Sequence, residues 1–97
     1  MPHTVTIERR DNGDHGGYYA HVEGSKAMGR LTWVDRDGIR VAEHTVVPPE
    51  IGGQGVAARL VDALVADARE QGFRIEPACS YVLAKFDEHP EWSDLRA

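Results

Sequence analysis

The 97 residues set 11 Lys and Arg against 16 Asp and Glu, a formal charge of -5, with 41% hydrophobic, 28% charged and 7% aromatic residues. A chain this short buries roughly 60–65% of its unfolded surface, so a single core spanning 1–97, with no second domain, is expected. Nothing approaches the ~18 consecutive apolar residues of a membrane span, and Met1 to Arg10 lacks the apolar run of a signal peptide, so a cytoplasmic chain with no membrane partner is expected. The acidic balance argues against nucleic acid as a partner, because binders of a phosphate backbone concentrate Lys and Arg. A single cysteine, Cys79, rules out an internal disulfide and agrees with a reducing compartment.

Thr4 to Arg9 alternates polar and apolar residues at period two, the pattern of a strand buried on one face. Asp11 to Gly17 (DNGDHGG) supplies turn chemistry, Tyr18 to Glu23 reads as a second strand, and Gly24-Ser25-Lys26 turns into a third, Met28 to Val34. Asp37-Gly38, a pair that tolerates positive φ, closes the next hairpin, and Ile39 to Val47 forms a fourth strand that Pro48-Pro49 ends. Four strands in series make an antiparallel meander. From Gln54 to Gln71, Val56, Ala57, Leu60, Val61, Leu64, Val65 and Ala68 draw one apolar stripe along a long helix, with Arg59, Asp62, Asp67, Arg69 and Glu70 on the opposite face. Gly72 suits a left-handed helix end, and Phe73 to Pro77 follows as a fifth strand, so strand, helix and strand imply a crossover with parallel pairing. Ser80 to His89 has helical spacing with Ser80 as N-cap, and Pro90-Glu91-Trp92 begins a last turn. The fold class is therefore α/β, a twisted, mostly antiparallel sheet carrying one long helix and a short C-terminal one.

Pro49 to Ala57 (PEIGGQGVA) places three glycines within four residues at the start of the long helix. Backbone N–H groups freed of Cβ atoms converge there, and the helix dipole adds about half a positive charge, which is an anion-binding geometry. A tight strand-to-helix turn is the competing reading of the same glycines. No Lys-Ser or Lys-Thr follows Gly55, so the Walker pattern is absent, and a meander is the wrong context for a dinucleotide fingerprint.

Together, the strand order, the loop, the stretches His44 to Pro49, Gly53 to Ala57, Pro77 to Val82 (PACSYV) and His89 to Trp92 resemble the GCN5-related N-acetyltransferase superfamily, and most of all its short single-domain branch. The resemblance covers about Met28 to Leu95. It implies an acetyl-CoA site in which loop amides from Gly52, Gly53, Gln54, Gly55, Val56 and Ala57 hold the pyrophosphate while Val46 and Val47 pair through their backbone with the pantetheine arm. Gly52 stands where the superfamily usually has Arg or Gln, so one pyrophosphate contact is missing or comes from elsewhere.

Cys79 stands between the fifth strand and a helix N-terminus, a position that favours a thiolate. His44, on the neighbouring strand, is the candidate base, with Glu43 as its rival; side chains of adjacent strand residues face opposite sides. The resemblance makes Cys79 the acetyl acceptor. Structural roles compete, since a lone cysteine is commonly buried in a core and a strand histidine is commonly a hydrogen-bonded structural residue. Tyr81 and Lys85 lie one turn apart, where they flank a CoA adenine or phosphate or form a solvated pair, and with Ser80 they complete the cofactor-binding candidates. His3, His15, His21, His44, His89 and Cys79 lack metal-ligand spacing, so no metal is expected, and the serines lack a nucleophile elbow. The favoured function is an acetyl-CoA-dependent acyltransferase acting on an unidentified amine, through an acetyl-cysteine. The competing classes are a non-catalytic CoA-binding or protein-interaction module and a Cys79 thioesterase. An exposed edge strand allows pairing between copies, which makes a monomer or a weak homodimer the expected state.

Overall fold

The computed structural model describes residues 4–97, which leaves His3 outside. Five strands form one sheet in the order β1-β2-β3-β4-β5: β1 Val5–Asp11, β2 His15–Val22, β3 Met28–Arg36, β4 Ile39–Val46 and β5 Arg74–Pro77. The first four pair antiparallel and β5 joins β4 in parallel, so the expected meander and crossover are both present. Helix α1 (Val56–Gln71) runs from β4 to β5, α2 (Ser80–Glu88) follows, and a 3-10 helix over Pro90–Leu95 completes the fold. Among the described residues, no helix is long and apolar enough to cross a membrane.

Alternation along the strands decides the faces. Tyr18, Ala20 and Val22 of β2, Leu31 and Trp33 of β3, Ala42 of β4 and Ile75 of β5 join Leu60, Val61, Leu64 and Ala68 of α1 in one cluster, to which Val82, Phe86, Trp92 and Leu95 also belong. The helices therefore gather on one face of the sheet. Leu60 and Leu64 are fully buried, and at ~25 cal/mol per Å² the apolar area removed from water along that stripe is the main force holding α1 to the strands. Gly29 lets it come close: a Cβ there would stand 3.0 Å from Val56 at the head of α1.

Boundaries and burial depart from the sequence reading in several places. The stretch Asp11 to Gly17 is not all turn, because Gly16 and Gly17 pair with Asp11 and Arg10 on one side and with Trp33 and Thr32 on the other. Helix α1 starts at Val56 rather than Gln54, since Gly55 takes a left-handed φ of 73°. The N-cap of α2 is Cys79, with extended backbone, and Ser80 is its first helical residue. Asp67, expected on the solvent face of α1, is buried, and so is Arg40. Asp67 accepts from Arg9 Nε at 3.0 Å and from the Tyr18 hydroxyl at 2.9 Å, which makes its burial tolerable.

Candidate functional site

Strands β4 and β5 part company at Ala42. Their parallel ladder runs from Ile39 opposite Arg74 to Ala42 opposite Pro77. Pro77 has no N–H to extend it, and Ala78 turns its own N–H back to Glu76 at 3.0 Å. One more bond, from Cys79 N–H to the Ala42 carbonyl at 2.9 Å, closes the fork. Past that point β4 continues to Val46 on its β3 side alone, so its other backbone edge is unpaired. Val46, at 43% exposure, is the one large apolar side chain left in solvent among the described residues.

The fork coincides with a break in register between β3 and β4. Thr32 pairs with His44 and Trp33 with Ala42, which leaves Glu43 as the extra residue of a β-bulge. Ala42 faces the helices. His44 then emerges exposed on the opposite face, and Thr45, paired with Leu31, returns to the helix side. The expectation that Glu43 and His44 simply alternate does not hold, because the bulge resets the phase.

Beyond the end of β4, Pro49–Ile51 forms one 3-10 turn, with Ile51 fully buried and Gly52 N–H donating to the Pro49 carbonyl at 3.1 Å. That bond commits the Gly52 amide to the turn. Gly53 and Gly55 both take left-handed φ, 75° and 73°, with open space where a Cβ would stand. In α1 the first amide to find an acceptor is that of Arg59, which donates to the Gly55 carbonyl at 3.1 Å. The amides from Gly53 to Ala58 have no acceptor among the described residues, no side chain caps the helix, and its first turn holds no acidic residue. An anion placed there would meet several donors and the positive end of a 16-residue helix. Ala58 belongs to this donor set although the glycine pattern stops short of it.

Cys79 is half-buried at the fork. Its thiol donates to Thr45 Oγ1 over 3.4 Å, and its side chain sits at the N-terminus of α2 beside the Tyr81 and Val82 amides. Burial alone would push the thiol pKa up; the Thr45 hydroxyl and the backbone N–H groups of Val82, Tyr81 and Thr45 outweigh it and hold the value below that of a free cysteine. Thus the structure brings Cys79 to Thr45 and to a helix end, while His44 lies on the other face of β4 and is not hydrogen-bonded to the thiol. Tyr81 packs against the core. The Lys85 ammonium lies 5.7 Å from the Tyr81 ring and 3.8 Å from the Glu88 carboxylate, which places it along α2, and Ser80 is exposed.

A cavity of about 200 Å³ lies elsewhere, at the C-terminal end of α1, lined in part by Arg9, Tyr18, Trp33, Arg40 and Asp67. Sequence reasoning missed this cluster, yet a signal existed: Asp67 falls three residues after Leu64 and seven after Leu60, on the apolar stripe itself. Beside β4, by contrast, the strand edge beyond Ala42 is unpaired, which suits an extended ligand.

Comparison with curated proteins finds none that matches. A family model described as GCN5-related N-acetyl-transferase matches residues 17–95, from within β2 to the end of the last 3-10 helix. That span contains the bulge, the glycine loop, α1 and the fork at Cys79. Proteins of this family are acetyltransferases that generally take their acetyl group from acetyl-CoA. With most of its length under that model, and with the expected sheet, long helix and short C-terminal helix in place, the chain belongs to the GCN5-related N-acetyltransferase family.

Proposed function

We propose that the unpaired edge of β4 binds acetyl-CoA and that the protein moves the acetyl group to an amine by way of Cys79. The observation carrying this reading is the fork at Ala42, where the pairing of β4 with β5 ends beside a thiol of lowered pKa and leaves a strand edge that continues in sequence to the free amides at the start of α1. The free amides from Gly53 to Ala57 suit the pyrophosphate, and the exposed edge at Val46 and Val47 suits an amide-bearing arm that pairs as a strand does. This arrangement delivers the thioester to the fork.

In the first half-reaction the Cys79 thiolate attacks the thioester carbonyl carbon, the carbon–sulfur bond to CoA breaks, and CoA leaves as a thiol carrying the proton that Cys79 gave up. Cys79 now holds the acetyl group. In the second, a neutral amine attacks the acetyl-cysteine, an amide forms, and the cysteine sulfur leaves and regains a proton. His44, exposed beside the bulge, is assigned the task of taking a proton from the incoming ammonium. Tyr81 and Lys85 are assigned to flank a CoA adenine or phosphate, and Ser80, next to Cys79, to the cofactor beside the thioester.

Calorimetric titration with acetyl-CoA, CoA and adenosine tests the binding site, and a peptide map after incubation with acetyl-CoA tests the thiol. Tight binding of the first two over adenosine, with one acetyl on Cys79, is the expected result. Full-rate amine acetylation by Cys79→Ala would remove the relay. Binding without release of free CoA in the presence of amines would identify a binding module, and continued release beyond one equivalent of CoA per protein without an amine would identify a thioesterase.

A further inference from the structure

The thiol at the fork is served by a hydroxyl from the strand it faces. We propose that Thr45 is the positioning residue of this site: its side chain orients the Cys79 sulfur toward the fork and stabilises the thiolate once the proton has left. The inference rests on the reading of Cys79 as acetyl acceptor, and it replaces His44 as the immediate partner of the sulfur.

Three observations carry it. Thr45 Oγ1 is 3.4 Å from Sγ, and it is the side-chain partner of the thiol among the described residues. The Thr45 hydroxyl proton has no other acceptor among those residues, so rotation about one bond turns it from acceptor of the S–H to donor to S⁻. The bulge at Glu43 is what delivers it: without the extra residue, the phase of β4 beyond Ala42 would be reversed and position 45 would face away from α2. The ionisable groups on the surrounding elements are Glu43 and His44 of β4, Glu76 of β5, and Tyr81 and Lys85 of α2, and none is hydrogen-bonded to the sulfur. The anion therefore depends on neutral donors, namely one hydroxyl and the first amides of a helix. Thioester exchange suits such a shell, because a thiolate held by hydrogen bonds stays nucleophilic and its sulfur returns to the same donors when the acetyl group departs.

The test is the pH dependence of Cys79 alkylation by iodoacetamide, followed by intact mass, in the full chain and in Thr45→Val, Thr45→Ser and His44→Gln. Thr45→Val is expected to move the alkylation midpoint up by about one pH unit, roughly a tenfold loss of thiolate at a fixed pH below it. Thr45→Ser is expected to titrate as the parent does, which a purely packing role for the threonine methyl would not produce, and His44→Gln is expected to leave the midpoint in place. An unmoved midpoint in Thr45→Val, or an equal shift in His44→Gln, overturns the proposal. Should the valine variant fail to fold, Thr45→Ala provides the same comparison. Acetylation is scored separately: absence of acetyl on parental Cys79 removes the relay but leaves the titration to decide the role of Thr45.

Discussion

Arg40 Nη1 donates to the Tyr18 hydroxyl over 3.1 Å, and that hydroxyl in turn donates to Asp67 over 2.9 Å. This relay ties the middle of the sheet to the far end of α1. The Arg40 guanidinium is also clasped by Asp35 through two bonds and lies 3.6 Å from the Trp33 ring centroid and 4.2 Å from that of Phe73. Burial, then the bond to Asp67, pushes the Tyr18 phenol above its ordinary range. Tyr18→Phe keeps the ring but leaves one donor of Arg40 without its partner and removes one of the two bonds to Asp67 Oδ2, which keeps Arg9 Nε. A loss of about 1–3 kcal/mol is expected in urea unfolding, with CoA binding unchanged because the cluster stands apart from the glycine loop.

Ala58→Glu should separate stability from binding. A carboxylate in the first turn of α1 interacts favourably with the helix dipole and with amides that now lack a protein acceptor, so thermal stability rises by about 0.3–1 kcal/mol. The same charge competes with a phosphate, and affinity for acetyl-CoA in calorimetry falls by about tenfold or more. A variant that gained stability and kept its affinity would place the phosphates elsewhere.

Gly16→Ala distinguishes a strand from a turn. A Cβ at Gly16 would collide with the Arg10 carbonyl and lie 2.6 Å from the Trp33 ring, both inside the paired sheet. The expected cost is about 1–3 kcal/mol, read as a lowered melting temperature. In an open turn the same substitution would be nearly silent.

Glu8 controls part of the acid limb. Its bonds to Arg10, at 2.7 Å, and to His21, at 2.7 Å, lower its pKa from 4.5 to about 2, with Arg10 the larger influence. A lowered carboxylate contributes stability that is complete above about 4.5 and is lost as pH falls through about 2. The melting-temperature difference between the parent and Glu8→Gln should therefore be constant from pH 7 to 5 and shrink steadily below pH 4.5. A gap that stayed constant down to pH 2 would show that Glu8 has no net interaction in the fold.

Periodicity and glycines made much of this legible. Asp37-Gly38 turns where its positive φ values of 53° and 80° require it, and α1 ends at Gly72 with φ 80°. These are local matters, settled within a few residues. The misses are settled across the sheet. Gly16 and Gly17 look like turn residues because glycine also serves where two strands and an aromatic ring crowd one backbone. Asp67 looks like solvent face because its partners, Arg9 and Tyr18, are 58 and 49 residues away. The thiol of Cys79 bonds to Thr45 rather than to His44, and the alternation of a strand cannot reveal the bulge behind that placement, because only the register with β3 exposes it.

With the helices on one side of the sheet, each strand carries two interleaved texts. Along β4, Ala42 and Thr45 answer to packing and to the thiol, while His44 and Val46 answer to whatever approaches from solvent. Divergence among descendants of such a sequence would proceed at two speeds within a single strand, slow at the inward positions and free to follow a new acceptor at the outward ones. Glu43 is the residue that keeps the two texts in step, and deleting it would exchange them.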